Sequence, residues 1–171
     1  MDIEAFRTTQ APLRERYSQD AAAALLTLRA RGLVGDGTVT CRVETGRGLA
    51  TAGIHPKVGG SGRELCSGDM LLEALVACAG VSLKAAAAML DVALNSAIVF
   101  AEGDVDLRGT LGVEESVPVG FREIRLRFEI DTDAPQAQLD RLLELVERYC
   151  VVFQTIQKSP ETKVQLIVRE N

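Results

Sequence analysis

The sequence has one histidine, His55, and no C-x-x-C pair among its four cysteines. A lone imidazole removes most metalloenzyme readings, and unpaired cysteine spacing gives little support to a structural zinc site. No Lys/Arg cluster is present, and 24 acidic residues against 19 basic ones leave a formal net charge of −5. That balance argues against a nucleic-acid partner. No apolar stretch free of charge is long enough to span a bilayer, so no membrane partner is expected. Asp2 and Glu4 stand where a signal peptide would place its basic and apolar regions. The expected location is cytoplasmic, where cysteines are free, catalytic or metal-bound rather than cross-linked. No internal repeat stands out beyond two alanine clusters, at 21–24 and 85–88.

What is there is a chain of 171 residues, 47% hydrophobic and 25% charged, which suits a soluble domain with a real core. Residues 13–31 mix Ala, Leu, Arg and Glu without Pro or Gly and read as a helix stopped by Gly32. We therefore expect an N-terminal helical extension over 1–34 and one domain over 35–171. Val39, Cys41 and Val43 alternate with polar residues, which predicts a strand with Cys41 pointing inward. Thr45-Gly46-Arg47-Gly48 is a hairpin turn, and 49–54 returns as the next strand. Residues 55–68 are rich in glycine and read as a loop containing His55.

The segment 69–90 is apolar around most of its circumference, with Glu73 and Lys84 as exceptions. It predicts a long central helix buried on several sides, carrying Cys78. Residues 97–111 read as a strand with a bulge at Gly103. Ile124, Leu126, Phe128 and Ile130 alternate with charged residues in another strand. Leu139, Leu142, Leu143, Val146, Cys150 and Phe153 fall on one helical stripe, and 163–168 reads as a final strand. Helices between hairpins give an α+β fold with antiparallel sheets. Two helical cysteines in an apolar setting point either to thiol chemistry or to small packing residues.

In this order the pieces resemble the osmotically inducible protein C / organic hydroperoxide resistance (OsmC/Ohr) family. The likeness rests on Thr45-Gly46-Arg47, Gly59-Gly60-Ser61-Gly62, the run from Leu71 to Cys78, Val117-Pro118-Val119-Gly120-Phe121, and Cys150 in the last long helix. The resemblance implies an intertwined homodimer that reduces organic hydroperoxides or hydrogen peroxide with a cysteine pair and no metal or prosthetic group. It implies that Cys78 attacks the peroxide, that Cys150 resolves the sulfenic acid as a disulfide, and that an external dithiol reduces the pair. It also implies that Arg47 supplies positive charge to the thiol. The family's glutamate position falls at Gly68 or Asp69, where Asp69 could replace it with a shorter reach. Asp69 and Cys78 lie about 13 Å apart along a continuous helix, so a partner subunit would have to bring Asp69 or Arg47 to the thiol. Cys66, near the helix start, is the rival for the resolving role. The second function class is a non-enzymatic dimeric protein that binds an apolar small molecule in the same interfacial pocket.

Overall fold

The computed structural model describes residues 8, 19, 31–34, 40–45, 48–112 and 114–168. Gln19 is helical, and the rest of the helix expected over 13–30 lies outside the described residues. Arg31 does not continue that helix. It opens strand β1 (Arg31–Val34), which pairs antiparallel with β2 (Thr40–Thr45) in the register Leu33↔Arg42. β2 pairs with β3 (Gly48–Gly53), and Thr45↔Gly48 closes the expected hairpin.

A 3-10 turn follows at Pro56–Val58, where the His55 ring nitrogen Nδ1 accepts from the Lys57 N–H at 3.1 Å. The observed use of His55 is therefore a cap on a loop. The two-residue strand β4 (Leu65–Cys66) then joins β3 parallel, so the four-stranded sheet is mostly but not wholly antiparallel. A long loop permits this parallel return, which a tight hairpin cannot make.

Helix α1 (Ser67–Met89) contains no proline and is dominated by Ala and Leu, both strong helix formers. Its end is capped by Asp91 at φ 54°, while the Val92 N–H returns to the Ala87 carbonyl at 2.9 Å. This is a Schellman closure with aspartate where glycine is usual, and buried Val92 fixes it. The helix buries Leu75, Ala79, Leu83 and Ala86 on one stripe at helical spacing, and also Ala87 and Ala88 in its last turn.

The all-round burial expected of this helix is not found within one chain. Glu73, Ala74 and Ala77 are exposed, and Val81 is 73% exposed. By length and hydropathy α1 is apolar enough to cross a membrane, although it carries Asp69, Glu73 and Lys84.

Strand β5 (Ser96–Val105) pairs with β6 (Phe121–Asp131). The strand expected over 97–111 ends early because Asp106 caps a short helix, α2 (Leu107–Thr110). The Asp106 carboxylate accepts from the Arg108 N–H at 3.2 Å and pairs with its guanidinium at 2.6 Å. Those bonds hold the Asp106 carboxyl down to about 2. Gly103 is needed for contact: a Cβ there would lie 2.4 Å from Phe121 Cε1.

Helices α3 (Gln136–Tyr149) and α4 (Val151–Gln157) complete the regular structure. Residues 159–168 have no regular structure, although 163–168 alternates like a strand. A strand needs a neighbouring edge to bond with, and none pairs with this segment among the described residues.

The chain divides into two compact units, Met1–Glu73 with Phe100–Glu129, and Ala74–Val99 with Ile130–Asn171. In the second unit the buried residues come mainly from α1 and from Leu142, Leu145, Val146 and Cys150.

Candidate active site

Cys150 does not sit inside one long helix, as its stripe suggested. It separates α3 from α4 in an extended conformation, φ −74° and ψ 105°. Its N–H closes α3 on the Val146 carbonyl at 2.9 Å, and its carbonyl opens α4 by accepting from Gln154 at 2.9 Å. The break frees groups on both sides. The Glu147 carbonyl is satisfied by the Gln154 side-chain amide at 2.7 Å. The Val151 and Val152 N–H groups, at the start of α4, have no helical carbonyl to bond. Both act on the Cys78 sulfur and lower its pKa.

Cys78 reaches them from the middle of α1, where it is half-buried. Cys150 is fully buried, and the two thiols influence each other's ionisation. Ser82, one turn beyond Cys78 on α1, lowers the pKa of both thiols. Both cysteines are free thiols, as is Cys66.

The two sulfurs are electrostatically unlike. Burial pushes Cys78 up, but the Val152 N–H, the Cys150 thiol, the Val151 N–H and the Ser82 hydroxyl outweigh it. The net effect holds Cys78 below the usual thiol value. Cys150 moves the other way. Burial pushes it up, and the facing Cys78 sulfur adds to this against the Phe153 N–H and Ser82. Cys78 is therefore the more acidic of the two thiols, and Cys150 the less acidic. A thiolate is the nucleophilic form of cysteine, so the arrangement places a nucleophile beside a second thiol able to bond with it.

The other candidate residues fall elsewhere. Arg47 lies outside the described residues. Asp69 is exposed in the first turn of α1, and the helix runs unbroken from there through Cys78. Nine residues of unbroken helix rise about 13 Å, too far for Asp69 to serve Cys78 in the same chain. Cys66 ends β4 and is half-buried, and Cys41 lies in β2 opposite Val34 and Ala52. Among the described residues no three His, Cys, Asp or Glu side chains gather to hold a metal ion.

Sequence reasoning missed Ser82 and the two peptide N–H groups. Ser82 had a signal, as a hydroxyl four residues after Cys78 in an apolar run. The N–H groups had none, because the helical stripe continues through the break.

Residues 60–165 match the family model described as OsmC-like protein. The chain belongs to the OsmC-like family. Solved structures with the same fold include an OsmC-like protein from Mycoplasma pneumoniae, 18% identical, covering 78% of this chain and 89% of that one with a TM-score of 0.65. An organic hydroperoxide resistance protein from Elizabethkingia anophelis is 16% identical over 79% of this chain and 91% of that one, with a TM-score of 0.61. A protein from Legionella pneumophila named organic hydroperoxide resistance protein OsmC is 20% identical over 78% and 91%, with a TM-score of 0.58. No curated protein matches the chain. At these identities the neighbours establish the fold: mixed α/β, with a small, mostly antiparallel sheet and helices.

Proposed function

We propose that this protein is a cysteine-based, dithiol-dependent peroxidase reducing organic hydroperoxides or hydrogen peroxide. The observation that carries the reading is one pair of unlike thiols: a half-buried Cys78 made more acidic by two peptide N–H groups, beside the buried, less acidic Cys150. Membership of the OsmC-like family supports a peroxide-related redox role.

The chemistry follows from the two pKa directions. The Cys78 thiolate attacks an oxygen of the hydroperoxide. An S–O bond forms, the O–O bond breaks, and the sulfur gives up two electrons. The alkoxide that leaves takes the Cys150 proton and becomes the alcohol. Cys150 is now a thiolate, and it attacks the sulfur of the Cys78 sulfenic acid. The S–S bond forms, and hydroxide leaves and is protonated to water. An external dithiol regenerates both thiols by exchange, which suits a reducing cytoplasm.

A homodimer belongs to the same reading. Leu71, Val81 and Met89 are exposed on α1, and Val164 is 99% exposed beside Leu166, Ile167 and Val168. Exposed apolar surface of this extent calls for a covering partner. A second copy would bury α1 on its open side and bring Arg47 or Asp69 of one protomer towards Cys78 of the other. Light scattering at micromolar concentration is expected to give twice the chain mass of 18.4 kDa. A monomer would overturn the dimer.

A thiol-reactive probe near neutral pH should label Cys78 first and Cys150 last, because one thiol is pushed down and the other pushed up and buried. Hydroperoxide consumption is assayed on an unlabelled aliquot of the same preparation. Unselective labelling, with no consumption under any dithiol, would leave the non-enzymatic reading, a dimer that binds an apolar small molecule.

A further inference from the structure

The last turn of α3 and one face of α4 line a cleft of about 490 Å³, separate from the cysteine pair. Its walls lie wholly in the second unit. The break at Cys150 creates them, because α3 ends at Tyr149 and the chain turns before α4 starts at Val151. Val151, Thr155 and Lys158 follow at i, i+4 and i+7 and so share one face. Neither Cys78 nor Cys150 lines the cleft.

Two cations do line it, Arg148 and Lys158, and no carboxylate does among the described residues. The chain as a whole carries a net charge of −5, so the cleft is a locally positive place on an acidic protein. Other exposed arginines are neutralised: Arg125 pairs with Asp104, and Arg141 with Glu144. Neither Arg148 nor Lys158 has an acidic partner among the described residues. The Arg148 guanidinium carbon stands 5.6 Å from the centre of the Tyr149 ring. That contact orients the guanidinium and leaves its N–H donors for a ligand.

The neutral polar groups turn to the backbone instead. The Gln154 amide donates to the Glu147 carbonyl at 2.7 Å, and the Thr155 hydroxyl donates to the Val151 carbonyl at 2.8 Å. Recognition of an anion therefore falls to the two cations. Beside them the wall is apolar: Val151 is 67% exposed, Tyr149 is 56% exposed, and Pro160 adds to them. Such surface gains from being covered by an apolar body. A volume of about 490 Å³ falls within the about 300–1,000 Å³ typical of small-molecule sites.

We propose that this cleft binds an organic monocarboxylate with an apolar body, its carboxylate on Arg148 and Lys158 and its body against Tyr149, Val151 and Pro160. A guanidinium fork matches the two oxygens of a carboxylate. The apolar wall selects a molecule that carries one charged head rather than a small hydrated anion. No thiol and no covalent step takes part, so the site goes beyond the peroxidase reading and does not rest on it.

The test uses the full chain, reduced and without peroxide, titrated by calorimetry at low salt. Phenylbutyrate should bind at least about 10-fold more tightly than phenylbutanol, which keeps the body without the charge, and than acetate, which keeps the charge without the body. Added salt should weaken phenylbutyrate and leave phenylbutanol unchanged. Arg148→Gln and Lys158→Gln should each weaken phenylbutyrate by roughly 3- to 10-fold. Both residues are exposed, so the melting temperature should hold. Amide NMR on the wild type gives the location without a variant. Phenylbutyrate should shift Tyr149, Val151, Thr155 and Lys158, and not the exposed apolar residues Val164, Leu166, Ile167 and Val168.

Equal affinity for phenylbutanol or acetate would overturn the proposal. So would undiminished binding in both charge variants, or shifts centred on 164–168. Peroxide consumption by the wild type is measured separately. Its absence, with phenylbutyrate bound as expected, would remove the peroxidase and leave the cleft. Normal consumption with no phenylbutyrate bound would do the reverse.

Discussion

Replacing Cys78 with serine is expected to abolish hydroperoxide turnover, a loss in kcat/KM of more than about 1,000-fold. A serine hydroxyl is not ionised by hydrogen bonds that suffice for a thiol. It also lacks the polarisable sulfur that accepts the peroxide oxygen. The substitution is nearly isosteric and the site is half-buried, so the melting temperature should change little. Cys41→Ser, in strand β2, should leave turnover near wild type. Steady-state rates with an organic hydroperoxide and excess dithiol, alongside circular dichroism, provide the comparison. Undiminished turnover in Cys78→Ser would remove the enzyme reading.

Cys150→Ser should fail differently. In the wild type, one equivalent of hydroperoxide should give an intramolecular Cys78–Cys150 disulfide, detected by peptide mapping without reductant. Closure requires the two Cα atoms to approach within about 4.4–6.8 Å. The mutual influence of the two thiols on their pKa values supports that approach. In Cys150→Ser nothing traps the sulfenic acid, so it should persist and, under excess peroxide, pass to sulfinic acid, which a dithiol does not reverse. Sustained turnover should fall to a single event per site. Mass spectrometry of the Cys78 peptide reads each state directly. A Cys66–Cys78 bridge would transfer the resolving role to Cys66. An inert Cys150 with no bridge would make it a packing residue and leave a one-cysteine mechanism.

Much of the fold was legible because hydrophobic periodicity is a local property. The alternation around Cys41 and from Ile124 to Ile130 marked β2 and β6, and the unbroken apolar run marked α1. The pieces that escaped are those whose bonds run to distant residues. β1 follows a helix-forming stretch and is a strand because β2 offers it an edge. β5 stops at Val105 because the Asp106 side chain captures the Arg108 N–H. The run 163–168 has the alternation of a strand but, among the described residues, no edge to join.

By itself the sequence determined the elements, the family likeness and the choice of Cys78 and Cys150 as the pair to watch. Side-chain type and spacing carry that information, and both are printed in the chain. Only the tertiary structure decided how the two sulfurs differ. The periodic stripe through Cys150 predicted one continuous helix, in which the Val151 and Val152 N–H groups would be spent on carbonyls four residues back. The break at Cys150 releases them, and both act on the Cys78 sulfur of another helix. The break at Cys150 and the lowered pKa of Cys78 are therefore linked through Val151 and Val152. Such a dependence joins residues far apart in sequence, and no local pattern records it.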